Sequence, residues 1–184
     1  MHRFFAALLL AAALLPSCKK QEKALSSALN TVSQVAELGT VEYTFTKLYA
    51  ADGNAWYEYG TRKALYEAEA HVKAGIKMNG FDQSRVQIDG QTGEVTVVLP
   101  HAELLSFHMP PEKIHPVYTH VDGLRDNFSA EEQLKFSQQA EKAMRAYVDS
   151  TDIFKEAERN AEMYFKSMFS HLGYEPESVT VTFE

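Results

Sequence analysis

Four of the seven histidines fall in one short stretch: His101, His108, His115 and His120, with Glu103 and Asp122 close by. Neutral imidazoles and carboxylates are good zinc ligands, so this stretch is the candidate metal site and the candidate centre of a hydrolase. Its spacing argues the other way. The intervals are 7, 7 and 5 residues, three prolines interrupt them, and no short i, i+2 or i, i+4 pair turns two rings toward one ion. Scattered histidines in an extended loop are the simpler expectation. Ser106 and His108 stand two apart without a Gly-x-Ser-x-Gly elbow, which is no nucleophile–base pair. Glu131, Glu132, Glu141, Glu156, Glu158 and Glu162 could hold an acid–base pair, but charge on the outer face of an amphipathic helix is ordinarily solvated. Trp56, Tyr57, Tyr59 and Tyr66 could form a ledge for a sugar or peptide, and aromatic residues in strands more often pack. No catalytic residue and no cofactor is assigned.

The lone cysteine is more informative. A basic start (His2, Arg3) leads into twelve apolar residues, Phe4 to Leu15. That run is too short to span a bilayer as a helix, which takes about 20 residues, and it suits the apolar region of a signal peptide. Leu15-Pro16-Ser17-Cys18 then resembles a bacterial lipobox, with proline in place of the commoner residue before the small one. The resemblance implies a signal peptide over residues 1–17, diacylglycerol on the Cys18 sulfur and fatty acylation, as by palmitate, of the new amine. Residues 18–24 would then form a polar tether. Acyl chains contribute about 0.8 kcal/mol per buried methylene, so the lipid partner would hold the protein at a membrane without a transmembrane helix. Lipidation also consumes the only thiol, removing disulfides and cysteine nucleophiles together.

The elements that must position any site read as follows. With 184 residues, 45% of them hydrophobic, the chain is globular and has room for one full domain, expected over residues 25–184. A formal charge of −7 argues against a nucleic-acid partner, which needs a basic face. Leu25, Ala28, Leu29, Val32 and Val35 predict a helix over 22–38, capped by Gly39. Val41, Tyr43, Phe45 and Tyr49 predict a strand, followed by a turn or loop at residues 50–54. Over 63–78 a helical spacing competes, but Glu67, Glu69, His71 and Lys73 alternate strictly and no N-cap precedes them, so a strand is predicted. Gly75 within it suggests a bulge or a close backbone approach. Val86 to Leu99 reads as a hairpin around Asp89-Gly90, His101 to Phe107 as a helical turn, and Ile114 to Val121 as extended chain. Ser129-Ala130-Glu131-Glu132 is a capping box opening one helix, Ser150-Thr151-Asp152 opens a second, Gly173 ends it, and Val179 to Phe183 forms a last strand. The class is α+β: a mainly antiparallel sheet, a C-terminal helical pair packed on one face, and a final C-terminal strand.

Four stretches in order, Glu37-Leu38-Gly39-Thr40-Val41-Glu42-Tyr43, Lys73-Ala74-Gly75-Ile76, Leu99-Pro100-His101-Ala102-Glu103-Leu104-Leu105 and Leu172-Gly173-Tyr174, resemble the bacterial domain of unknown function 4230. Lys77 stands where that pattern leads one to expect an aspartate. The resemblance implies an exported or membrane-tethered protein and no particular activity. Together these readings predict a membrane-anchored, periplasm-facing lipoprotein of the cell envelope. It would act without catalysis, binding an envelope protein or associating with itself.

Overall fold

The computed structural model describes residues 16–52, 60–123 and 126–184, with side chains from residue 23 onward except that of Asp52. The elements in chain order are α1 (Pro16–Ser33), β1 (Glu37–Asp52), β2 (Arg62–Lys77), β3 (Val86–Ile88), β4 (Val95–Leu99), β5 (Glu103–His108), β6 (Ile114–Val121), α2 (Ala130–Asp149), α3 (Ile153–His171) and β7 (Val179–Phe183). The fold is α+β, its sheets are mainly antiparallel, and two helices precede a final strand. The described chain gathers into two compact units. One comprises the residues through Gly39 with Ile76–Ala102 and Ala157–Glu184; the other comprises Thr40–Gly75 and Glu103–Glu156.

In the first unit β4 lies between β3 and β7. The β3–β4 hairpin is antiparallel, with Val86 opposite Val97, whereas β7 joins β4 in parallel, from Val95 opposite Val179 to Leu99 opposite Phe183. Asp89 shapes the turn, its carboxylate accepting from the amides of Gln91 and Thr92. Period-two alternation buries Val95, Val97 and Leu99 on one face. Ala161, Phe165 and Phe169, spaced by four along α3, join the same core with Leu29 and Val32 of α1. The end of α3 is a Schellman motif. The Tyr174 amide donates to the Phe169 carbonyl, the Gly173 amide donates to that of Ser170, and Gly173 takes a φ of 93°. The Phe169 and Tyr174 rings meet edge to face at 5.6 Å across it.

The second unit is a four-stranded sheet. β2 pairs with β1 on one edge, while its other edge is shared in series by β6, along Arg62–Ala68, and β5, along His71–Gly75. The inner face of β2 carries Ala64, Ala68, Ala70, Val72 and Ala74, all buried. α2 lies against this face through Phe136, whose ring is 6.0 Å from that of Tyr66, and Tyr147, 5.6 Å from Phe45. The expected capping box is formed: the Ser129 hydroxyl accepts from the Glu132 amide and the Glu132 carboxylate accepts from the Ser129 amide.

Several expectations need correction. The first helix runs from Pro16 to Ser33 rather than over 22–38, because lysine, glutamine, glutamate and alanine at 19–24 are good helix formers and proline is welcome in the first turn. Gly39 does not cap it. It lies in β1 at a φ of 64°, where an added Cβ would come 2.4 Å from the Ala157 carbonyl oxygen. Ala50, Ala51 and Asp52 continue β1 instead of turning, and residues 53 and 54 of that expected turn are outside the described residues. The segment expected as a helical turn over His101–Phe107 is largely strand, β5. A bulge hides its period: Ala74 faces Leu104 and Lys73 faces Ser106, which leaves Leu105 as the extra residue and sets two leucines side by side. This irregularity falls next to Gly75, on the partner strand.

Candidate functional site

The outer face of the four-stranded sheet follows from strand parity. Since Ala64 to Ala74 point inward at every second position, Lys63, Leu65, Glu67, Glu69, His71 and Lys73 point outward. Residues directly opposite across a strand pair share a face. His108 is the partner of His71, Ser106 of Lys73, His115 of Glu67, Tyr118 of Leu65 and His120 of Lys63. On β1, Thr44 belongs to the same face, since its hydroxyl lies 3.1 Å from His71 Nδ1. Thr46 and Leu48 follow by alternation.

Three of the four candidate histidines, His108, His115 and His120, therefore reach one sheet face, and His71 joins them. The face is exposed and laced with polar contacts. His71 Nε2 is 3.4 Å from the Glu69 carboxylate, which also receives Lys113 Nζ at 3.1 Å, and His115 Nε2 is 3.5 Å from Glu67. Near His71 the surface dips into an open depression of about 390 Å³ lined by Glu42, Thr44, Lys73 and Ser106 among others. Two large apolar side chains stand out of the same face, Leu48 at 56% exposure and Tyr118 at 55%.

His101 is elsewhere. It belongs to the first unit, where Nδ1 lies 2.8 Å from the Glu158 carboxylate and the ring stacks near Phe183. Among the described residues no three histidine, cysteine, aspartate or glutamate side chains converge so as to hold a metal ion. Ser106 and His108 occupy alternate positions of β5 and so project to the same side of the sheet. Of the helical carboxylates, Glu131, Glu141 and Glu162 form i, i+4 ion pairs with Lys135, Arg145 and Lys166. Glu156 accepts the Tyr43 hydroxyl, and Glu132 takes Arg62 as well as its cap. Tyr66 packs against α2, in keeping with the core reading of that residue, while Trp56, Tyr57 and Tyr59 lie outside the described residues. His71 reaches this face from outside the histidine-rich stretch. Its signal was present in the alternation Glu67, Glu69, His71, Lys73, which already required a shared face.

Residues 1–15 and the Cys18 side chain lie outside the described residues, so the lipobox is a matter of sequence alone. Among the described residues no helix is long and apolar enough to cross a membrane.

No curated protein and no solved structure matches the chain. A family model described as "Protein of unknown function (DUF4230)" matches residues 30–181, a span that takes in both units from the second half of α1 into β7, and the chain belongs to that family.

Proposed function

We propose that this protein is a membrane-anchored lipoprotein of the bacterial cell envelope, facing the periplasm. It is tethered through acylated Cys18 and binds an envelope protein partner, or a second copy of itself, without catalysis. The anchor is supported by the leader sequence and by a single cysteine placed after Leu15-Pro16-Ser17. One observation carries the binding role. The sheet of the second unit is packed by α2 on its inner face and open on its outer face, where Leu48 and Tyr118 stand exposed among histidines, glutamates and Lys113. Exposed apolar side chains rimmed by polar ones are the composition of a recognition surface.

The experiment uses the full chain in its native membrane. A photo-crosslinking residue replaces Thr46 on the outer face or, as a control, Lys135 on α2. Crosslinking is expected at position 46, lost on combining it with Leu48→Glu and Tyr118→Glu, and absent at 135. These two side chains are already more than half exposed, so their replacement leaves stability within about 0.5 kcal/mol. Cys18→Ala is expected to release the protein from membranes. Persistent membrane fractionation of Cys18→Ala sinks the anchor, and equal crosslinking at 46 and 135 sinks the surface.

A further inference from the structure

His71 and His108 stand directly opposite each other on β2 and β5, on the outer face of the second unit's sheet. Side chains paired in this way start from Cβ atoms about 4.5–5.5 Å apart, close enough for two imidazoles to take one ion. Glu69 lies on the same face of β2, two residues before His71, and its carboxylate is 3.4 Å from His71 Nε2. A tetrahedral zinc ion bonded at about 2.0–2.1 Å sets neighbouring donor atoms about 3.3–3.4 Å apart. The carboxylate and the imidazole therefore already have the separation of two ligands on one ion.

Thr44 supplies an independent feature. Its hydroxyl reaches from β1 to lie 3.1 Å from His71 Nδ1. A histidine that ligates through one ring nitrogen needs a partner for the N–H on the other, which fixes the tautomer and aims the ring. With Thr44 Oγ1 accepting the Nδ1 proton, the Nε2 lone pair is free for a metal. As the side chains stand, two donors are placed and the third is not. His108 comes to the ion by a change of rotamer, which its exposure leaves open. Lys113, which holds the Glu69 carboxylate at 3.1 Å, is half exposed and gives way to the ion.

We infer that His71, His108 and Glu69 form a binding site for Zn²⁺, with water in the fourth position and Thr44 as the positioning residue behind His71. His115 and His120 lie on the same face but opposite Glu67 and Lys63, so neither has a second imidazole across the strand pair, and they take no part. The site goes beyond the partner-binding reading and stands without it, since this chain supplies every protein ligand.

The full chain, purified without a histidine tag and stripped with a chelator, is titrated with zinc chloride by calorimetry. One ion per chain is expected. His71→Ala, His108→Ala and Glu69→Gln are each expected to weaken binding at least tenfold. Thr44→Val is expected to weaken it about tenfold and Thr44→Ser to restore it. Lys113→Met, which releases the Glu69 carboxylate, is expected to tighten binding severalfold, and His115→Ala and His120→Ala to leave it unchanged. These side chains are exposed or partly so, and the fold tolerates their replacement. Absence of binding at submillimolar zinc overturns the site. So does a loss in His115→Ala or His120→Ala equal to that in His71→Ala, which would make the face a diffuse array of imidazoles. Unchanged affinity in Thr44→Val overturns the positioning role.

Discussion

The Ser129 amide, the Ser129 hydroxyl and the Arg62 guanidinium converge on one carboxylate, that of Glu132. Arg62 does most to hold its pKa down, the Ser129 bonds add to this, and the result is about 2 in place of 4.5. A carboxylate whose folded pKa is depressed stabilises the fold above its unfolded pKa and loses that contribution as pH falls through the folded one. Glu132→Gln is therefore expected to lower the urea midpoint at neutral pH, with the gap from the parent closing between about pH 4.5 and pH 2. A gap independent of pH across that window would remove the charge from the explanation. Half of this arrangement is legible in the sequence, since Ser129 and Glu132 stand three apart before an apolar-periodic run. Arg62 is not, because it lies 70 residues away and arrives through the placement of β2. The histidines teach the same lesson. Intervals of 7, 7 and 5 give no convergence within one segment, whereas pairing on a neighbouring strand brings His71 and His108 directly opposite each other.

At the scale of elements, those with an unbroken period and a local stop signal were readable: β2 from its alternating charges, the β3–β4 hairpin from Asp89-Gly90, α2 from its capping box and α3 from Gly173. β5 was not, because its bulge puts Leu104 and Leu105 together and erases the alternation. Gly39 resembles a helix cap in sequence, but its actual constraint comes from a distant element. Its φ of 64° and the Ala157 backbone so near its α-carbon suit glycine and nothing larger. Gly39→Ala adds a methyl group 2.4 Å from a carbonyl oxygen and 2.9 Å from the Ala161 nitrogen. The left-handed backbone costs about 1–2 kcal/mol and overpacking a further 1–3, so a loss of about 2–5 kcal/mol in chemical denaturation is expected. A loss below 0.5 kcal/mol would mean that β1 and α3 can part there without consequence.

For the whole molecule, composition and periodicity made the α+β class legible, but not the division into two sheets, which is decided by pairings between distant segments. Each unit is assembled from separate stretches of chain, and the first needs its C-terminal stretch, Ala157–Glu184, to exist at all. β7 shows why. It lies parallel to β4 across an interval of 84 residues, from Val95 to Val179, with Val179 buried in the core and Val181 and Phe183 packed against it. A chain ending at Ser178 leaves β4 hydrogen-bonded to β3 alone and returns three apolar side chains to water. At about 1.5–3 kcal/mol for each fully buried side chain, and less for the two that are only partly covered, the loss is expected to be about 3–6 kcal/mol. That is a large share of the stability of an ordinary domain. Hydrogen exchange should then show the amides of Val95–Leu99 unprotected in the shortened chain and protected in the full one. Retained protection at those amides would mean that the hairpin and α3 suffice for the first unit, and that β7 is an addition to its sheet rather than a condition of it.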